Sequence, residues 1–311
     1  MNKNNMICDL ETGVCGVGGE EEMELVDFNQ LKKKITLYYV TDPICSHCWA
    51  LEPVLKRFVE QYGHYFKFQT VMGGLLPSWN GFADKANGIG GPSDVAGHWR
   101  EVGVYARMPI DGNVWIQDPI QSSFPSSRVF KIIQQKDEQL ADIYLRRARE
   151  AVFLFNQNIG DNQVLTNIVN AMNLDGTSIV KEADLSSGRE LLDEDFKLSR
   201  KLGVRGFPTI IMVNEENKGI KIVGARSIEE YVKGLQEVLS TSEEIKAQPP
   251  RPLKKILENE SLLFSKEIEE MYGLEKHEVK EFIKKELPTE TYEVKEILDE
   301  LYIKKVESSM D

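Results

Sequence analysis

Cys45-Ser46-His47-Cys48 places two thiols three residues apart with an imidazole between them. That spacing suits thiol–disulfide exchange, in which one thiolate attacks a disulfide sulfur and a second thiol resolves the mixed disulfide. The apolar run Ile35-Thr36-Leu37-Tyr38-Tyr39-Val40 precedes the thiols, and Trp49, Leu51, Val54, Leu55 and Phe58 recur after them with helical spacing. A strand is therefore expected to deliver the thiols to the mouth of a helix, where unpaired N–H groups and the helix dipole favour negative charge. Cys45 is the expected nucleophile and Cys48 the resolving thiol; such a setting brings a thiol pKa from about 8.5 into the range of roughly 3.5–7.5. His47, when protonated, stabilises the thiolate further. Half of a structural zinc site is the competing reading, but no second C-x-x-C or C-x-x-H follows to complete it.

A second segment supports the redox reading. Gly203-Val204-Arg205-Gly206-Phe207-Pro208-Thr209 leads into Ile210-Ile211-Met212-Val213, a buried-strand pattern. A proline lacks an N–H, and the residue before it can offer backbone groups to an extended partner chain. By itself Phe207-Pro208 reads as an ordinary strand-entry turn, since most X-Pro bonds are trans. Paired with the upstream C-x-x-C, it reads as the cis proline of a thioredoxin-type α/β fold, with Cys45, His47, Cys48 and Pro208 as the redox motif.

The elements that must position these residues divide the chain. Residues 1–27 are a polar, acidic, glycine-containing leader expected to be mobile. From 28 to about 77 the pattern is strand, helix Cys45–Tyr62 and strand Phe66–Met72, a β-α-β unit with parallel strands. Residues 78–180 are mainly helical: Ser93 is the expected N-cap of one helix, followed by periodic segments at Ser126–Gln135 and Glu138–Asn156. From 181 to 240 the core is expected to resume, with a helix near Leu191–Leu202, the Pro208 strand, a strand Ile220–Val223 and a helix Ile228–Leu239. The breaker Gln248-Pro249-Pro250-Arg251-Pro252 opens an extension over 241–311 with three helical patterns, Leu262–Tyr272, His277–Leu287 and Tyr292–Val306. That extension holds 18 acidic and 12 basic residues and reads as a satellite helical module with a charged outer face and, as a further candidate role, a partner surface.

A formal charge of −12 argues against nucleic-acid or anionic-membrane binding, and no apolar run reaches the length of a membrane span. The acidic leader, with Glu20-Glu21-Glu22, lacks the basic start and apolar core of a signal peptide, so a cytoplasmic protein is expected. In a reducing compartment, its four cysteines suit redox or metal roles better than structural disulfides. Trp49, Trp79, Trp99 and Trp115 read as core or cleft wall, and His64 and His277 as surface residues. Lys32-Lys33-Lys34 and Lys284-Lys285 are too short for nucleic-acid patches, and Gly88-Ile89-Gly90-Gly91 lacks the ending of a phosphate loop and reads as a loop beside the mouth.

Asp42-Pro43-Ile44-Cys45-Ser46-His47-Cys48-Trp49, the Gly203–Thr209 segment and His98-Trp99 together resemble the DsbA family, a thioredoxin fold with a helical insertion, over residues 35 to about 240. With the leader Cys8-Asp9-Leu10-Glu11-Thr12-Gly13-Val14-Cys15-Gly16 and the acidic tail, the whole chain is similar to the SpxH (YjbH) adaptor family of low-GC Gram-positive bacteria. That resemblance implies an adaptor that binds the transcription regulator Spx and promotes its degradation by the protease ClpXP, contacting the protease through Spx or directly. Because Spx governs the response to disulfide stress, it also implies a sensing role for the retained thiols. No cofactor is required; zinc is the one the family suggests, through its leader. Here Cys8 and Cys15 are the soft ligands of that leader, and metal binding, redox pairing and a silent tail all remain open for them. The motif chemistry itself supports the alternative of a cytoplasmic DsbA-like oxidoreductase, but an old redox cleft can also serve as a docking groove.

Overall fold

The computed structural model describes residues 35–306 apart from 82–83, 85–87 and 241–243, together with the backbone at 7–8 and 15–16. The chain separates into two units, Met1–Lys33 and Lys34–Asp311. In the first, strands β1 (Ile7–Cys8) and β2 (Cys15–Gly16) pair antiparallel with Cys8 opposite Cys15. The rest of the leader, including its expected mobility and Lys32-Lys33-Lys34, lies outside the described residues, as do the side chains of Cys8 and Cys15.

In the second unit, β3 (Ile35–Thr41) and β4 (Phe66–Met72) run parallel with Ile35 opposite Phe66, joined by α1 (Ser46–Tyr62). The insertion follows β4 as α2 (Pro92–Ala106), α3 (Val114–Gln117), α4 (Phe124–Lys136), α5 (Glu138–Phe155), α6 (Asn162–Asn170), α7 (Gly176–Asp184) and α8 (Ser186–Lys201). Strands β5 (Thr209–Asn214) and β6 (Gly219–Val223) then add antiparallel pairs, giving the sheet order β4-β3-β5-β6, and α9 (Ile228–Leu239) closes the core. Leu37, Leu51, Phe58, Met212 and Leu235 meet between the sheet, α1 and α9. A larger apolar cluster lies within the insertion and reaches Trp49 on α1.

One local expectation is corrected in the insertion. Helix α2 begins at Pro92 with Gly91 as its N-cap, and Ser93 lies inside the first turn. The proline is pre-set for that position, and the Asp94 carboxylate accepts from the N–H groups of Gly90 and Gly91 at 2.9 and 3.1 Å, so a serine cap is not needed. Helix α8 meets both parts: its Asp195 carboxylate accepts from the Met72 N–H of β4 at 2.8 Å, and its Leu192 joins the apolar cluster of the insertion.

The C-terminal region departs further. Residues 244–252 run along the core, with the N–H of Gln248 donating to the Gln61 carbonyl at 2.8 Å. Then come α10 (Leu253–Asn259), β7 (Leu262–Phe264), α11 (Ser265–Tyr272), α12 (Val279–Glu286), β8 (Tyr292–Ile297) and β9 (Glu300–Lys305), with sheet order β7-β9-β8. Helix, strand, two helices and a hairpin in this pairing form a winged-helix topology, so the region is helical in its first part and closes on a small sheet. Its own core unites Leu253, Ile268, Met271, Val279, Ile283 and Ile303.

The helix expected over Tyr292–Val306 is therefore a hairpin. Val294, Ile297, Leu298 and Leu301 fit a helical stripe by coincidence of spacing. Leu298 and Asp299 instead take left-handed φ angles of 50° and 63°, the two-residue turn whose twist suits adjoining strands. Leu262–Phe264, read as the start of a helix, is β7, paired with Tyr302–Lys304 of β9.

Candidate functional site

Strand β3 ends at Thr41, and the Asp42-Pro43-Ile44 turn carries the chain to the N-terminus of α1. Asp42 is buried and holds that turn: its carboxylate accepts from the N–H of Ile44 (3.1 Å), the N–H of Leu75 (2.8 Å) and the Ser123 hydroxyl (2.8 Å). Burial pushes its pKa up, against those three hydrogen bonds. Cys45 is the N-cap of α1, and its sulfur accepts the Cys48 N–H at 3.2 Å. The two cysteines form a disulfide, with Cys48 wholly buried. The expected placement of Cys45 at a helix mouth thus holds, and a backbone donor stands ready for its thiolate.

His47 stands exposed at this mouth, where partial desolvation and the neighbouring His98 lower its pKa while the cysteines are joined as a disulfide. The rings of His47 and His98 meet at a centroid distance of 5.4 Å.

Phe207-Pro208 is cis. The Phe207 ring packs over Gly73, where a Cβ would stand 1.9 Å from the ring, so only glycine permits this approach. A cavity of about 800 Å³ is lined by Cys45, His47, Trp79, His98, Arg205 and Phe207. A second, of about 870 Å³, shares His47, His98 and Phe207 and extends to Tyr105, Arg226 and Lys266. The structure therefore brings the C-x-x-C and the residues leading into Pro208 to one groove. Ile89 of the glycine loop lines the first cavity, as expected of a loop beside the mouth. The four tryptophans are wall or core, with Trp115 edge-on to both Trp79 and Trp99. His64 and His277 are exposed.

Behind the mouth lies an assembly that sequence reasoning missed. Trp49, next to Cys48, is fully buried and donates its indole N–H to the Pro109 carbonyl at 3.1 Å. Phe153 stacks on it, Phe264 of the C-terminal module meets it edge-on at 5.7 Å, and the Arg146 guanidinium lies 4.7 Å from its ring centre. Arg146 donates two hydrogen bonds of 2.9 Å to Glu267, one of 2.8 Å to Glu150 and one of 3.0 Å to the Leu262 carbonyl. Lys56 of α1 pairs with Glu260 at 2.7 Å and Glu267 at 3.0 Å. Arg107, at the end of α2, pairs with Glu269 at 2.7 Å and Glu300 at 3.0 Å. Burial alone would raise the Glu267 pKa, but Arg146 and Lys56 overcome it and pull the value down to about 2. Part of the acidic excess of the tail is thus directed inward against core cations.

Arg149 is also fully buried, bonded to Glu52, the Thr41 hydroxyl and the Asp42 carbonyl. It ties α5 to the turn that carries Cys45. The signal for Arg149 was its place on the apolar stripe of α5, four residues after Leu145 and three before Val152. Beneath this assembly a cavity of about 280 Å³, away from the thiols, is lined by Phe68, Asp142, Arg149 and Met271. Burial raises the pKa of Asp142 to about 6, although the Thr70 hydroxyl donates to it at 2.7 Å.

Among the described residues, no group of three or more His, Cys, Asp or Glu side chains converges as a metal site, and no helix is long and apolar enough to cross a membrane. Lys284 pairs with Glu281 at 2.7 Å on the exposed face of α12.

A family model described as thioredoxin matches residues 38–233, and the chain belongs to that family. Two solved structures share its fold at low identity. One is a putative protein disulfide isomerase from Nitrosomonas europaea (17% identity, TM-score 0.55, 66% of this chain and 96% of that one). The other is a probable DsbA oxidoreductase from Streptomyces coelicolor (14%, TM-score 0.52, 68% and 93%). The class is thus a thioredoxin-family protein whose fold is shared by these DsbA-type structures. Within it, a ClpXP adapter protein SpxH from Halalkalibacterium halodurans is 30% identical over 287 residues, covering 91% of this chain and 92% of that protein. The SpxH of Bacillus subtilis is 30% identical over 258 residues, 82% and 83% of the two chains. The chain belongs to the SpxH family of ClpXP adaptors.

Proposed function

We propose that this protein is a cytoplasmic adaptor that binds the transcription regulator Spx and promotes its degradation by ClpXP, making no covalent bond itself. The observation that carries this reading is the likeness to SpxH over 91% of the chain, well beyond the residues 38–233 that the thioredoxin model covers. The C-terminal module, which thiol exchange does not require, is joined to the thiol-bearing helix through Phe264, Arg146 and Lys56. A substrate held at either surface is then held by one packed unit, and raising its local concentration at the protease is sufficient for delivery. ClpX is engaged through Spx or directly, and the disulfide state of Cys45 and Cys48 is the candidate sensor.

The test is the rate at which purified ClpXP degrades Spx with substoichiometric amounts of this protein. Acceleration is expected; no acceleration by folded protein would sink the proposal. Replacing both Cys45 and Cys48 by Ala is expected to leave that acceleration largely intact, and its loss in a folded variant would make the thiols essential. For zinc at Cys8 and Cys15, the check is whether C8S/C15S lowers the metal content of the purified chain.

One observation favours a second reading. The Cys45–Cys48 disulfide shares a groove with Arg205, Gly206 and Phe207, the approach to cis Pro208. A thiol–disulfide oxidoreductase would use Cys45 to attack, Cys48 to resolve and Pro208 to position the substrate backbone. Catalytic reduction of a disulfide peptide by the reduced protein, lost in Cys45→Ser, distinguishes it.

A further inference from the structure

The outer strand of the C-terminal sheet has one open side. The order β7-β9-β8 leaves β8 bonded to β9 alone among the described strands, and Glu293, Val294, Lys295 and Glu296 are all exposed. The hairpin sets the direction of its backbone groups. A two-residue turn with left-handed φ at Leu298 and Asp299 makes Ile297 and Glu300 a hydrogen-bonded pair, and such pairs alternate along an antiparallel ladder. Lys295 and Glu293 therefore also bond to β9, whereas Tyr292, Val294 and Glu296 turn their N–H and C=O groups to the open edge. Val294 lies opposite Ile303, a core residue of the module, yet its own side chain is 47% exposed. The apolar face of the module thus runs on, half uncovered, to that edge.

An open edge is a template for another strand, and charged residues on it ordinarily keep foreign strands away. Here the charges select a partner, because β8 can face a second copy of itself. An antiparallel pairing centred on Glu293, Lys295 or Glu296 sets that charge against its own copy. Centred on Val294, the pairing sets Glu293 of each copy opposite Lys295 of the other and Tyr292 opposite Glu296, with no like charges face to face. The two Val294 residues then meet, and their edge-facing backbone groups bond to each other. In the single strand Glu293 and Lys295 pair at 2.8 Å with both side chains about half exposed, a contact of little value that the cross-strand pairs replace.

We propose that two copies of this chain associate through β8, antiparallel and centred on Val294, so that their C-terminal sheets join into one. The contact is isologous and closes on itself, giving a dimer rather than a filament. This inference goes beyond the adaptor reading and does not depend on it.

The experiment is sedimentation equilibrium of the full-length chain in reducing buffer, which excludes intermolecular disulfides. A monomer–dimer equilibrium is expected. Glu293→Lys and Lys295→Glu each set like charges face to face at two places and should each weaken self-association by about tenfold or more. An equimolar mixture of the two variants brings opposite charges together again and should restore the dimer, as should the chain carrying both substitutions. Val294→Pro removes an N–H that only the dimer uses and should abolish association. Far-UV circular dichroism checks that each variant is folded. A wild-type chain that stays monomeric at millimolar concentration, a dimer untouched by Glu293→Lys, or a mixture that fails to restore it would each overturn the proposal. A monomeric chain whose Val294 amide gains hydrogen-exchange protection only with Spx present would also overturn it, giving the edge to Spx.

Discussion

The two sides of α1 treat polar groups in opposite ways. At the mouth, His47 is exposed, Tyr105 is 92% exposed, and Phe207 is partly open beside the buried disulfide. At the seam with the C-terminal module, Arg146, Glu150 and Glu267 are buried, and each carboxylate faces a cation. A buried charge is tolerated only when paired and hydrogen-bonded, so the seam has one good arrangement. The mouth, wetted by solvent, can leave its groups available to a partner. Stability and availability are thus separated across a single helix, with Trp49 at the dividing line.

Removing one member of the seam is the severest way to break this contrast. Arg146→Ala strips Glu150 and Glu267 of their shared guanidinium, leaving Glu267 with Lys56 alone, and should lower unfolding stability by about 3 kcal/mol in urea titration. A loss below about 1 kcal/mol, the value of an exposed pair, would mean that water already solvates the seam. Phe264→Ala, which empties the contact with Trp49, should cost about 3 kcal/mol and shift Trp fluorescence.

Asp142 sharpens the comparison through pH. Its folded pKa of about 6 lies above the unfolded value, so its contribution to stability is greatest at low pH and is lost as pH rises through 6. Asp142→Asn should therefore raise stability by up to about 3 kcal/mol at pH 7.5 and leave it unchanged near pH 4, measured by thermal melting at both. Equal effects at the two values would remove the titration argument. The smallest effect is expected at the mouth: Tyr105→Ala should change stability by less than about 0.5 kcal/mol. A larger loss would show that this side chain is structural.

Local pattern carried a good part of this architecture. The bounds of β4 and α9 follow directly from apolar spacing and breakers, and the helix-mouth position of Cys45 follows from strand, motif and helix in that order. Pro208 was legible because the C-x-x-C upstream gave the proline a context. The hairpin at Tyr292–Lys305 was not, since its residues fit a 3.6 period as well as a period of 2, and only pairing with β7 decides between them.

The seam was beyond reach for a different reason. Arg146 and Glu267 are 121 residues apart, and nothing near either residue marks its partner. The same holds for His47 and His98, whose encounter depends on how α2 settles against α1. Sequence alone determined where the paired cysteines sit and what elements present them, because capping, periodicity and turn formation act within a few residues. Tertiary structure alone decided which charges are buried together, which imidazoles meet, and that the acidic tail turns part of its charge inward, because those choices are made by packing between segments far apart in the chain.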